Sequence, residues 1–181
     1  MSLDPTGREL VLEAIDAIEV VEAREVIELG IVRLAAIRRT RVDLERLRSL
    51  LQGMRLCDRD PVAFAQFDFA FHVALSDAAH NTFLANSIAA LHDGMREMIA
   101  RFATTAMADS RMGALVGGHV ELVDAVEGQD THRASAVYSE MMAALRIEAG
   151  RCWPHIRDRM TQQVPQIGML DDRTHEKGDR P

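Results

Sequence analysis

Apolar residues return along this chain at three- and four-residue steps, and no stretch alternates convincingly enough for a strand. Val20, Ala23, Ile27, Ile31, Leu34 and Ala35 form the first clear stripe, the mark of a helix burying one face. Leu10 to Ile18 reads as a helix running toward it. Thr40 and Asp43 then offer a cap, followed by Leu44, Leu47, Leu50, Leu51 and Met54. Asp60-Pro61 opens the next helix: Asp accepts orphan amide hydrogen bonds, and Pro at the first helical position has no amide to lose. That helix carries Phe64, Phe67, Phe71 and Leu75. Asn81 caps another, whose stripe runs from Leu84 through Ile88, Leu91, Met95 and Met98 to Phe102.

Two stripes remain. Met112, Leu115, Val116, His119, Leu122, Val123 and Val126 predict a helix ending near Gly128. Ala134, Val137, Tyr138, Met141, Met142 and Leu145 predict a last one starting at Asp130 or Thr131, with Pro154 weakening any extension toward Trp153. Six or seven helices with short connections predict an all-α, antiparallel bundle. The pattern divides the chain into a lead-in at 1–8, a helical domain at 9–157 and a polar tail at 158–181. The Pro and Gly content of that tail predicts disorder.

Composition narrows the function. A net charge of −7 argues against this chain gripping nucleic acid, since phosphate contacts need a basic face. No apolar run approaches the ~18 residues that span a bilayer, and the N-terminus lacks the pattern of a targeting segment. Cys57 and Cys152 are the only cysteines, which fits a reduced cytoplasmic protein better than a disulfide scaffold. No nucleophile elbow, Cys-x-x-Cys, dinucleotide or phosphate-loop motif is present, so an enzyme is not expected.

The informative residues are polar ones on apolar faces. Asp68 and His72 lie one turn apart on the face of Phe64, Phe71 and Leu75. His119 lies among Leu122, Val123 and Val126. One reading makes these three a divalent metal site, because a carboxylate with neutral imidazoles suits Zn, Ni, Mn or Fe(II). The other has Asp68 accepting a hydrogen bond from His72, with His119 bonded to a backbone carbonyl or water. Arg24 shares its stripe with Val20, Ile27 and Ile31, where its guanidinium suits a ligand carboxylate or pairs with Glu28 one turn on. Met95, Met98, Met141 and Met142 fill core gaps or line an adaptable pocket. Gly117-Gly118 marks a helix start or a close backbone approach.

Several segments, taken in order, resemble the C-terminal effector-binding (FCD) domain of FadR-type regulators in the GntR family. Glu22-Ala23-Arg24-Glu25-Val26-Ile27-Glu28 with Leu34-Ala35-Ala36 resembles its first signature helix, and Asp68-Phe69-Ala70-Phe71-His72 its Asp-x-x-Phe-His helix. Ala78-Ala79-His80-Asn81 resembles the turn that follows, and His119 to Leu122, Ala125-Val126, Asp130 and Ala134 the last two helices. The resemblance implies a dimeric sensor of a small carboxylate effector, with Asp68, His72 and His119 as ligands of a divalent metal, Zn or Ni before others. It implies ligand contacts from Arg24, Asn81 and Met141. Met141 stands where the family has a further metal-ligating His, and a thioether is the poorer ligand for Zn or Ni. Such regulators reach DNA through an N-terminal winged helix-turn-helix, for which residues 1–19 leave no room. Two alternatives stand beside this reading: a metalloenzyme with a two-His-one-Asp site, and a metal-free dimerisation module.

Overall fold

The computed structural model describes the backbone of residues 5–57 and 59–152, with side chains from Glu19 onward except 58, 90, 92–95 and 97. Those residues form seven helices and no strand: α1 (Pro5–Arg38), α2 (Arg41–Leu56), α3 (Pro61–Ala78), α4 (Thr82–Ala90), α5 (His92–Ala108), α6 (Met112–Glu127) and α7 (Thr131–Cys152). The expected all-α bundle is what forms. α1 is continuous from Pro5, so the two segments read around Ile18 are one helix, and it already runs through residues 5–8 of the lead-in. The tail at 158–181 lies outside the described residues.

The caps follow the sequence chemistry. Thr40 and Asp43 make a reciprocal capping box, with Thr40 N–H donating to Asp43 Oδ2 at 2.8 Å and Asp43 N–H donating to Thr40 Oγ1 at 3.3 Å. Asp60 Oδ1 accepts from the amides of Val62 and Ala63 at 3.1 and 2.9 Å, with Pro61 in the first turn. Arg38 and Arg39 at the end of α1 donate to the orphan carbonyls of other helix ends: Ala79 after α3, and Val126 and Glu127 of α6.

One expected helix is two. The stripe from Leu84 to Phe102 is broken at Leu91, whose amide donates to Ile88 rather than one residue further back. Asp93 and Gly94, both weak helix formers, follow at once. Gly117 and Gly118 lie inside α6, which starts at Met112, so the helix-start reading fails and the close approach holds. A Cβ on Gly118 would stand 3.0 Å from Met141 Cγ. Gly53 allows a still closer approach, since a Cβ there would meet the Phe67 ring at 2.2 Å.

α3 is the centre of the bundle. It packs against α1, α2, α4 and α5, while α7 packs against α1, α5 and α6. Phe64, Phe71, Ala74 and Leu75 of α3 are buried among Ile31, Leu47, Phe102, Leu122 and Tyr138. Cys57 and Cys152 form no disulfide. No described helix is long and apolar enough to cross a membrane.

Candidate functional site

The polar residues that broke the apolar stripes converge in the core. Arg24 and Glu28 are fully buried, and Asp68, His72 and His119 nearly so. Arg24 Nε donates to Glu28 Oε1 at 3.0 Å, the ion pair expected from their spacing on α1. The other oxygen of Glu28 accepts from Nδ1 of His72, which reaches across from α3. Burial alone would raise the Glu28 pKa. The adjoining His72 ring and Arg24 guanidinium, through electrostatics and hydrogen bonds, outweigh it and hold Glu28 down at about 2. Asp68 is likewise held well below the usual carboxylate range against its burial, by its contact with His119 and by the electrostatic influence of His72, His119 and Arg24. Glu28 and Tyr138, followed by Asp68, hold the buried Arg24 guanidinium above its ordinary pKa despite the opposing effect of desolvation.

Hydrogen-bond direction then fixes how the rings sit. Glu28 is ionised and can only accept, so Nδ1 of His72 carries the hydrogen. A backbone carbonyl also only accepts, so Nδ1 of His119 donates to Leu115 O at 2.8 Å. Both Nε2 atoms therefore face Asp68: His119 Nε2 is 3.1 Å from Oδ1 and His72 Nε2 is 4.0 Å from Oδ2. Neither pair aligns as a hydrogen bond, and Asp68 Oδ2 and His119 Nε2 are buried without a partner. Two ring nitrogens turned toward an ionised carboxylate need positive charge between them, supplied by ring protons or by a metal ion. The Phe71 ring packs edge-on against both imidazoles, at 5.6 and 5.1 Å, and helps to fix them.

One donor atom from each of Asp68, His72 and His119 falls within 4.8 Å of the others, which suits a divalent cation. With Nδ1 of each ring held by Glu28 or Leu115, the arrangement also resembles the outer hydrogen bonding that orients histidine ligands. Beside this group lies a cavity of about 60 Å³. Arg24, Asp68, His72 and His119 form its polar end, and Phe64, Ile99, Phe102, Leu115, Met141 and Met142 are among its apolar walls. Both terminal nitrogens of Arg24 are buried without a hydrogen-bond partner.

Of the six residues singled out in the sequence, five meet here. Asn81 does not: its side chain caps α4, accepting from the amides of Phe83 and Leu84 at 3.1 and 3.3 Å, and it is absent from the cavity lining. Met141 lines the wall. The expected Asp68–His72 hydrogen bond is replaced by His72–Glu28, whereas the expected carbonyl partner of His119 is present. Sequence spacing showed Glu28 only as a partner of Arg24. Its bond to a ring 44 residues away carried no local signal.

A helical bundle packed around a cavity, with two free arginine nitrogens and a carboxylate–dihistidine group at its polar end, has the form of a small-molecule-binding domain. The chain belongs to the FCD domain family, whose model matches residues 19–166. This is the effector-binding domain of GntR-family regulators. It is similar to the HTH-type transcriptional regulator LutR of Bacillus subtilis (strain 168), at 38% identity over 80 residues covering 44% of this chain and 36% of that protein. It is also similar to the galactonate operon transcriptional repressor of Escherichia coli (strain K12), at 32% identity over 124 residues covering 68% of this chain and 53% of that protein. The chain thus spans between about a third and about half the length of these relatives. The fold matches that of E. coli McbR/YncC with a TM-score of 0.63 and 19% identity, over 74% of this chain and 63% of that one.

Proposed function

We propose that this domain senses a small organic acid, taken up by Arg24 together with a divalent ion at Asp68, His72 and His119, within a transcriptional regulator acting in the cytoplasm. The observation that carries the reading is the set of buried polar atoms without a partner: both terminal nitrogens of Arg24, Asp68 Oδ2 and His119 Nε2. With neutral imidazoles the site holds one cation, Arg24, against two carboxylates, Glu28 and Asp68, all within the core. A divalent ion reverses the sign of that imbalance, and one bound carboxylate then brings it to zero. The orphaned polar atoms of Arg24, Asp68 and His119 lie where those two guests would be satisfied.

Zn or Ni suits the donor set, and Met141 leaves it three protein ligands rather than four. A bound divalent ion would supply positive charge and open coordination positions to the acid. The protein's part is to hold both rings with Nε2 inward and to present the two free arginine nitrogens. The relatives' names, a regulator and a repressor of a galactonate operon, support control of transcription by a small acid. DNA contact then falls to a separate module, since this chain is acidic, and pairing of two such domains as a homodimer suits a regulator of paired half-sites.

Elemental analysis of the purified protein should find about one divalent ion per chain. A panel of small organic acids should raise its melting temperature. Arg24→Ala and His72→Ala should each abolish that rise while circular dichroism stays helical. Unchanged thermal shifts in both variants would refute the reading.

A further inference from the structure

The cavity is polar at one end only. Arg24, Asp68, His72 and His119 gather there, and every other described lining residue presents carbon or sulfur: among the described residues no Ser, Thr, Asn, Gln or Tyr borders the space. We infer that the effector is a short monocarboxylate with an apolar chain, carrying at most a hydroxyl beside the carboxylate, and that polyhydroxylated acids and dicarboxylates are rejected. This rests on the organic-acid reading above and adds the class of acid.

Three features carry it. A hydroxyl next to the carboxylate stays within the polar end, whereas hydroxyls further along would lie against Phe64, Ile99, Phe102 or Leu115 without a partner. Each such buried hydroxyl weakens binding about tenfold. A second carboxylate would reach the same apolar walls, away from Arg24, where none of the described lining residues is a cation. Size acts in the same direction, because about 60 Å³ is well below the ~150 Å³ that holds a benzene ring. That limits the guest to roughly three to five carbons unless a wall yields.

Met141 is one of the apolar walls and lies against α6. The absence of a Cβ at Gly118 lets the Met141 side chain lie against α6, since a methyl there would stand 3.0 Å from its Cγ and 3.5 Å from its Sδ. The thioether thus forms an unbranched, adaptable boundary beside the polar end, making Met141 a specificity-determining residue.

The test is isothermal titration and thermal shift of the whole chain with butyrate, 2-hydroxybutyrate, succinate and gluconate, each with and without added Zn or Ni. Butyrate or 2-hydroxybutyrate should bind about tenfold or more tighter than either polar acid. Met141→Ala should move the preferred chain from butyrate toward hexanoate. Gluconate or succinate binding ahead of butyrate overturns this inference and leaves the organic-acid reading standing. No stabilisation by any of the four acids overturns both. An unaltered chain-length preference in Met141→Ala overturns the role given to that residue.

Discussion

Glu28 gives one carboxylate oxygen to the guanidinium of its own helix and the other to an imidazole of α3. Both partners are buried, so a neutral replacement weakens two contacts at once. Glu28→Gln should lower stability by about 3 kcal/mol, because it strips a buried arginine of its counter-charge. Loss of this outer partner of His72 should also weaken Zn or Ni binding by about 10- to 100-fold. Urea denaturation and a competition titration with a chromogenic chelator read the two effects separately. Full stability with wild-type metal affinity would contradict the pairing described here.

At the scale of elements, glycine and its absence both matter. Gly53 lets α2 sit under the Phe67 ring of α3, and Gly53→Ala should destabilise by about 1–3 kcal/mol as that ring is displaced. Ser110, between α5 and α6, has φ of 57°, a left-handed conformation that disfavours a Cβ. Ser110→Gly should therefore stabilise by about 0.5–1 kcal/mol, seen as a higher urea midpoint; a lower midpoint would show that the serine side chain contributes more than the strain removes. These elements were largely legible in the sequence. Asp60-Pro61, Thr40 with Asp43, and Asn81 acted through neighbours two or three residues away, and so their caps formed as read. The break at Leu91 was masked, since the apolar period runs straight through it and only the weak helix formers Asp93 and Gly94 just beyond mark it. Asn81 was read as a cap from its position and as a ligand contact from the resemblance; its side chain caps α4 and does not line the cavity.

At the scale of the whole molecule, two depressed carboxylates make the fold sensitive to acid. Glu28 has its pKa lowered from 4.5 to about 2, and Asp68 is shifted in the same direction. A carboxyl whose folded pKa is depressed contributes stability above its unfolded pKa and loses it as pH falls toward the folded one. Stability should be level well above pH 4.5 and then decline toward pH 2, with Glu28 and Asp68 both contributing to the loss. Denaturation midpoints measured from pH 6 to pH 3 check this, and a flat profile would contradict it. The site that produces this sensitivity was half legible. Asp68, His72 and His119 declared themselves by interrupting apolar stripes. Their true pairings depend on how α1, α3 and α6 come together, and spacing along one helix does not report that.

α1 carries Arg24 and Glu28 well inside a helix that starts at Pro5. At 1.5 Å per residue, Pro5 lies about 28 Å along the axis from Arg24. A rod pivoting at Arg24 magnifies small rotations: a tilt of about 10° sweeps the far end through roughly 5 Å. The longest of the described helices is in this respect a lever arm, with its fulcrum at the cavity.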